Sequence, residues 1–160
     1  MNFDQAYAKL LGHEGGYVNN KRDTGGATNW GVTQAVARAH GYQGDMRDFP
    51  QSASKAIYRK SYWDSVQADA LPAGVRFDVF DGAVNSGPGQ SIRWLQRAAD
   101  AEADGRMGPA TLRAVNALPG AVLAARFNGH RLMFMAGLEN WDAFSEGWAK
   151  RIAGNLLLIA

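Results

Sequence analysis

The segment that follows Pro72 constrains the fold most strongly, because its pattern is that of a helix with almost no polar face. Apolar side chains fill most of its positions: Val75, Phe77, Val79, Phe80, Ala83 and Val84. Its polar residues Asp78, Asp81 and Asn85 are spaced i, i+3 and i+7, so they form a single stripe. A helix that is apolar nearly all round is buried, and its polar groups need partners or a cleft. We therefore predict a buried helix, with Asp81 and Asn85 as binding residues on the wall of a cleft; the same residues also fit a structural role in which they cap or tie neighbouring loops.

Elsewhere the spacing of apolar residues predicts a mainly α-helical chain with one small β element. Apolar positions between residues 3 and 11 predict an amphipathic N-terminal helix, which Gly15 and Gly16 end. A polar run at residues 19–26 separates two short strand-like segments and predicts a β-hairpin. Only helices are predicted after Gly87, and the last of them carries an apolar stripe. We expect this stripe to be core: Trp141, Phe144, Trp148, Ile152 and Leu156.

Composition and charge exclude several classes of protein. The 160 residues contain no cysteine, and the three histidines lack the spacing of paired ligands, so we expect neither disulfides nor a metal. A net charge of +2 is too small to indicate a nucleic-acid partner. The N-terminus lacks the pattern of a signal peptide, and no apolar run has the length of a membrane span. We expect a monomer that does not insert stably into a membrane.

Glu14 is the strongest candidate for an acid catalyst. The predicted helix places it on the last turn, beside Gly15 and Gly16 and on the side that faces the interior. The partial negative charge of a helix C-terminus and partial burial both disfavour an ionised carboxylate, so they raise its pKa. A general acid that works near neutral pH needs such a pKa. On spacing alone, a solvated carboxylate at the end of a surface helix fits this pattern equally well.

Asp23 and Thr28 follow at a spacing that lets the predicted hairpin bring them near Glu14. Cleavage of a glycosidic bond generally uses two carboxyl groups, one protonated and one ionised. Glu14 and Asp23 suit these two roles, and the Thr28 hydroxyl is able to hold a water. Asp23 also fits a simple turn former. Three residues of this region are predicted to bind substrate: Tyr17, Asn29 and Trp30. An indole stacks well on a sugar face, but Trp30 fits the core equally well, and Thr28 also fits a purely structural place in a strand.

Several segments together carry the pattern of a known family. In the first half of the chain they are residues 13–19 (HEGGYVN), 23–33 (DTGGATNWGVT), 58–63 (YRKSYW) and 80–87 (FDGAVNSG). These segments resemble glycoside hydrolase family 108, a group of phage and bacterial lysozyme-like muramidases. Residues 95–98, 104–112 and 147–148 resemble the peptidoglycan-binding domain that usually follows. The resemblance implies a lysozyme-like catalytic region at residues 1–87 and a helical peptidoglycan-binding-like region at residues 88–160, packed as one compact body.

The resemblance also implies a function. It indicates an endolysin that hydrolyses the β-1,4 bond between N-acetylmuramic acid and N-acetylglucosamine in bacterial peptidoglycan, without a cofactor and with Glu14 as the catalytic glutamate. Such an enzyme is made in the host cytoplasm without a signal peptide and is released to the cell wall through a holin pore. Phage-type lysozymes usually have five residues between the aspartate and the threonine, whereas four separate Asp23 from Thr28. Three alternatives stay open: a lytic transglycosylase on the same bond, a chitinase, and a non-catalytic peptidoglycan-binding module.

Overall fold

A computed structural model describes residues 1–12, 16–19 and 26–159 of the chain. In this part of the chain there are eight α-helices: α1 Phe3–Leu11, α2 Gln34–Ala39, α3 Gln51–Tyr58, α4 Arg76–Ser86, α5 Pro88–Ala98, α6 Pro109–Asn116, α7 Gly120–Ala136 and α8 Trp141–Leu156. Two short antiparallel strands, β1 Thr28–Asn29 and β2 Val32–Thr33, form its sheet. The predicted mainly α fold with one small hairpin near the N-terminus is confirmed. No helix of the described residues is long and apolar enough to span a membrane.

Backbone contacts divide the chain into two compact units. The first contains residues 3–61, and the second contains residues 62–160 together with residues 1–2. The division lies before α4, within a single-turn π-helix at Arg59–Trp63. The predicted boundary between residues 87 and 88 stays a prediction.

In residues 3–61, the hairpin is tighter than the sequence suggests. The backbones of Val18 and Thr28 pair as predicted, with N–H to O distances of 2.8 and 2.7 Å. The two-stranded sheet itself, however, turns at Trp30 and Gly31, and it pairs Thr28 with Thr33. The polar run at residues 19–26 is therefore not the turn of this sheet. Residues 20–25 of that run lie outside the described residues.

In residues 62–160, α4 is the buried helix that the apolar pattern predicts. Seven of its residues are buried: Phe77, Asp78, Val79, Phe80, Asp81, Gly82 and Ala83. It contacts both α5 and α7. Gly82 permits this packing, because a Cβ atom there would lie 2.9 Å from both the Phe127 ring and the Ser91 hydroxyl. The helix begins at Arg76 rather than directly after Pro72, since a turn closed by the Val75 N–H and the Pro72 carbonyl precedes it.

The predicted core stripe of the last helix is wrong for its aromatic half. Ile152 is buried, but Phe144 is 53% exposed and Leu156 is 41% exposed. Trp141 and Trp148 are half-buried. α8 packs along α7, and the residues that it buries are Ile152 and Asn155. The contacts of α8 with α7, and those of Arg151 and Asn155 with Asp81 on α4, leave the aromatic part of the stripe partly exposed.

Candidate active site

The two predicted catalytic carboxylates, Glu14 and Asp23, lie outside the described residues. The helix before them ends earlier than predicted. α1 stops at Leu11, and Gly12 takes the left-handed conformation with a φ of 59°. Its N–H donates to the carbonyls of Ala8 and Lys9, which closes the helix end. The predicted place of Glu14 on the last turn of a helix and its role as the acid both fall outside the described residues, and they stay predictions.

Thr28 lies on β1, where the backbone is tied on both sides. It pairs with Val18 on one side and with Thr33 on the other, and its side chain is half-buried. A residue paired on both sides has a fixed backbone position, so the direction of its hydroxyl is limited to a few rotamers. This arrangement suits a residue that must hold a water at one place.

Asn29 is buried, in contrast to the sugar-binding role that the sequence predicts. Only 5% of the residue is exposed. Its amide Nδ2 donates to the Met46 carbonyl at 2.7 Å and to the Arg47 carbonyl at 3.3 Å. These bonds satisfy carbonyl groups of the short 3₁₀-helix Met46–Asp48 and tie it to the hairpin. A side chain so enclosed does not reach a substrate, and Asn29 is a structural residue.

Trp30 occupies a strained backbone conformation at the tip of the hairpin. Its φ is 49°, and that of Gly31 is 72°. Positive φ at both central residues is the pattern of a type I′ turn, which normally carries Asn or Gly at the first position. A bulky residue there costs about 1–3 kcal/mol, so surrounding contacts must hold it. The backbone conformation of this position does not favour tryptophan. We therefore infer that the half-buried indole side chain is the reason for this residue.

Side chains of α1 and α3 hold this turn through its carbonyl groups. Ser54 Oγ donates to the Trp30 carbonyl at 2.7 Å and accepts from the Tyr7 hydroxyl at 2.9 Å. Burial raises the pKa of Tyr7, although the hydrogen bond to Ser54 opposes this rise. The hydroxyl of Tyr58 donates to the Gly31 carbonyl at 3.0 Å. A Cβ atom on Gly31 would lie 2.6 Å from that hydroxyl, so only glycine fits.

A polar cavity of about 340 Å³ opens beside the hairpin. It is lined by Tyr17, Asn19, Gly26, Ala27, Gln34, Arg38, Asp45 and Met46. Asn19 and Gly26 belong to the chain on either side of the segment that carries Asp23. Tyr17 therefore lines a cavity, as a substrate-binding residue must. The guanidinium of Arg47 lies 5.5 Å from the centre of the Tyr17 ring.

Of the lining residues, the sequence predicted only Tyr17, and the polar and charged side chains that it missed include Gln34, Arg38 and Asp45. Gln34 and Arg38 are one helical turn apart on α2, so their spacing is a signal that points to one shared face. Arg38 Nη1 donates to the Tyr42 carbonyl at 2.7 Å, and Asp45 accepts from the Arg47 N–H at 2.8 Å. The charged groups of the cavity are therefore held in place by neighbouring backbone.

In the second unit, Asp81 does not line a cleft, and that part of the sequence prediction is wrong. It is 1% exposed. Its carboxylate accepts from Arg131 Nη1 at 2.6 Å, from Arg151 Nε at 2.9 Å and from Asn155 Nδ2 at 3.2 Å. Burial alone would raise its pKa, but the hydrogen bond from Arg151 and the charges of both arginines hold the pKa below its usual range.

Asp78 and Asn85, the other members of the stripe, have different surroundings. Asp78 is 4% exposed and accepts from Asn128 Nδ2 at 2.8 Å. Burial, with a smaller effect of the Asp81 charge, raises its pKa to about 6. Asn85 is exposed, and its Nδ2 donates to the Asp81 carbonyl at 2.6 Å. Of the three, Asn85 is the one that is exposed to solvent. Among the described residues, no group of three or more acidic or histidine side chains is able to hold a metal ion.

Both halves of the chain match known protein families. Residues 7–87 match the family described as Glycosyl hydrolase 108, and residues 90–153 match a domain described as Predicted Peptidoglycan domain. No curated protein sequence matches the chain significantly. Among solved structures, the chain is similar to the structure of Brucella abortus SagA, with 32% sequence identity, a TM-score of 0.83, and coverage of 96% of this chain and 91% of SagA. These matches indicate a lysozyme-like glycoside hydrolase that degrades peptidoglycan. The chain belongs to the glycosyl hydrolase 108 family.

Proposed function

We propose that this enzyme is an endolysin-type muramidase, which hydrolyses the β-1,4 bond between N-acetylmuramic acid and N-acetylglucosamine. The observation that carries the proposal is the polar cavity beside the hairpin. Tyr17 lines it, and so do Asn19 and Gly26, the residues described on either side of the Asp23 segment. Trp30 lies at the tip of the same hairpin on a strained backbone. An aromatic and polar surface of this kind suits a sugar chain.

In this mechanism Glu14 is the general acid. Its carboxyl group protonates the bridging oxygen as the bond from that oxygen to the anomeric carbon breaks. The oxygen of a water forms the new bond to the anomeric carbon and loses a proton. Asp23, ionised, assists this water or stabilises the positive charge of the sugar, and Thr28 holds the water by its hydroxyl. Tyr17 and Trp30 bind the sugar rings.

The test is digestion of purified peptidoglycan by wild type and Glu14→Gln, followed by reducing-sugar assay and mass spectrometry. Glutamine keeps the size of the side chain but has no proton to transfer, so we expect a loss of about 10²–10⁴-fold in rate. Glu139→Gln is the matched control, because Glu139 is an exposed glutamate on another segment, and it should leave the rate unchanged.

The masses of the products separate the alternatives. Hydrolysis adds one water to each cleaved bond, whereas a lytic transglycosylase gives 1,6-anhydro ends without that water. Faster release of sugar from chitin than from peptidoglycan would indicate a chitinase. Binding to the cell wall without new reducing ends would indicate a non-catalytic module. Digestion by Glu14→Gln at the wild-type rate would refute the role of Glu14.

The biological role that we propose is lysis of a bacterial host at the end of phage growth. The enzyme would be made in the host cytoplasm and reach the wall through a pore formed by a holin. Expression in a bacterial host with and without a co-expressed holin tests this. We expect rapid lysis only with the holin, and lysis at the same rate without it would contradict the proposed route.

A further inference from the structure

A groove of about 500 Å³ lies on the surface of the second unit, where the C-terminal end of α4 meets α8. Its principal lining residues are Asn85, Phe144, Glu146, Gly147, Trp148 and Arg151. It is formed by residues 62–160 alone. Most of these residues belong to the region that matches the Predicted Peptidoglycan domain.

The wall of this groove is aromatic and open to solvent. The Phe144 ring stacks on the Trp148 ring with a centroid distance of 5.6 Å and an angle of 24° between the planes. Trp141 lies 6.1 Å from Trp148 on the same helix. Phe144 is 53% exposed, and Trp141 and Trp148 are partly exposed, so apolar surface of this cluster is in contact with water. Exposed aromatic clusters of this kind mark binding surfaces.

Gly147 keeps the groove accessible. It is in the middle of α8, where glycine weakens a helix relative to alanine. Apart from its two chain neighbours and the backbone of its own helix, no heavy atom of the described residues lies within 4 Å of the position that its Cβ would take. Packing within this part of the chain does not require glycine here. The absence of a side chain leaves space directly beside Trp148, as a ligand lying on the rings would need.

The polar side of the groove is held in place from the interior. Arg151 donates through Nε and Nη2 to the buried carboxylate of Asp81, yet 39% of its side chain is exposed. Asn85 is fixed by its own bond to the Asp81 carbonyl. Its Nδ2 also donates to Asp81 Oδ1 at 3.3 Å, so the amide oxygen of Asn85 is the group suited to accept from hydroxyl and acetamido donors. The guanidinium of Arg151 is suited to carboxylates, which peptidoglycan carries on its lactyl and peptide substituents.

We propose that this groove binds the glycan strand of peptidoglycan, with an N-acetylated sugar ring stacked on Phe144 and Trp148. Sugar rings have an apolar face that matches the aromatic wall, and polar edges that match Asn85 and Arg151. The identity of the ligand rests on the proposed function. The groove explains the exposed aromatic stripe of α8 and gives Asn85 a binding role within residues 62–160.

Cosedimentation with purified, insoluble peptidoglycan tests the groove in the Glu14→Gln background, so that binding is measured without cleavage. We expect Trp148→Ala to weaken binding about tenfold and Phe144→Ala to weaken it by a smaller factor. Met133→Ala is the matched control, because Met133 is 75% exposed and lies outside the groove, and its affinity should equal that of the parent. Circular dichroism melting curves of each variant verify folding. If Trp148→Ala fails to fold, Phe144→Ala decides, since that ring is mostly exposed.

The outcomes separate this inference from the proposed function. Parental affinity in both folded aromatic variants would overturn the groove, even if the wild type digests peptidoglycan. Loss of binding in these variants, with a wild type that binds but releases no reducing ends, would support the groove and overturn the proposed activity. Sedimentation that shows a dimer dissociated by Phe144→Ala, with unchanged binding to peptidoglycan, would instead make this face an interface between copies of the chain.

Discussion

Residues 3–61 and residues 62–160 hold their interior polar groups by different means. In the first unit the hydrogen bonds around the hairpin are between neutral groups. The Tyr7 hydroxyl donates to Ser54, and the hydroxyls of Ser54 and Tyr58 donate to backbone carbonyls of the turn. The ion pairs described in this unit, Lys55 with Asp4 and Arg47 with Asp45, are exposed to solvent. In the second unit the ionised groups themselves are buried, since Asp81 and Arg131 face each other with almost no exposure.

This difference follows from what each unit has to hold. The hydroxyl bonds fix the backbone of one strained turn, and their strength is nearly independent of pH and salt. The Asp81 carboxylate joins three helices, because it lies on α4, Arg131 on α7, and Arg151 and Asn155 on α8. Buried charges hold such elements firmly only while every partner is present. We therefore expect the second unit to respond more strongly to changes of charge.

The largest effect is expected for Asp81→Asn. Arg131 has no exposed side-chain surface, and its Nε and Nη2 have no hydrogen-bond partner within the described residues. Without the carboxylate, this buried cation loses its counter-charge, which should lower the free energy of unfolding by about 3–5 kcal/mol. Urea denaturation measures the change.

Glu146→Gln is the control for Asp81→Asn, because it removes one charge of an ion pair in which both side chains are at least 75% exposed. It should change the stability by less than about 1 kcal/mol. Equal destabilisation by the two variants would remove the contrast between buried and surface charge.

A smaller effect, and one that depends on pH, is expected for Asp78→Asn. The folded chain holds the Asp78 proton with a pKa of about 6, above the value near 4 of an unfolded chain. This preference stabilises the folded state below pH 4 and is lost as the pH rises through 6. Asparagine keeps the oxygen that accepts from Asn128 but does not ionise. The variant should therefore be about 3 kcal/mol more stable than wild type at pH 8 and similar to it at pH 4.

Thermal unfolding of both proteins between pH 4 and pH 8 measures this difference. Asp81 adds a separate effect at lower pH. Its lowered pKa stabilises the folded state above pH 4, and that contribution is lost on further acidification in wild type and variant alike. Stability curves that run parallel from pH 4 to pH 8 would contradict the burial of Asp78 as an ionisable group.

The smallest effect is expected for Ser54→Ala in the first unit. It leaves the buried Tyr7 hydroxyl without its acceptor and the Trp30 carbonyl without its donor, which should cost about 1–2 kcal/mol. The change should not depend on pH between 5 and 8, because no group involved ionises there. Peptidoglycan digestion should fall more than stability explains, since Trp30 loses its support. Ser52→Ala, on the exposed side of the same helix, is the control, and an equal loss of activity there would argue against this link.

The sequence predicts well what depends on neighbours along the chain. The spacing of apolar residues identifies α1 and the buried α4, because helical periodicity is a local property. The stripe of Asp78, Asp81 and Asn85 also predicts that buried polar groups need partners. It does not identify them, since Arg131 and Arg151 are 50 and 70 residues from Asp81. Tertiary packing alone brings these side chains together.

Two errors have a similar origin. Periodicity groups Trp141, Phe144 and Trp148 on one side of α8, but it does not say whether another element covers that side. The turn at Trp30 and Gly31 was missed because the usual signal for its type is Asn-Gly, and Trp-Gly carries only the second half of it. Contacts from Ser54 and Tyr58 make this sequence acceptable, and both lie more than twenty residues away.

The placement of the tryptophans makes the molecule unusually easy to follow in solution. The chain has five, and Trp30 is the one that belongs to residues 3–61. Trp63 and Trp94 are fully buried, whereas Trp141 and Trp148 are half-buried near the α8 groove. Biosynthetic labelling with fluorinated tryptophan would therefore give a spectrum in which one resonance reports the hairpin, two report the helical core and two report the groove. A single titration with glycan fragments would then show which of these three regions binds the sugar at the lowest concentration.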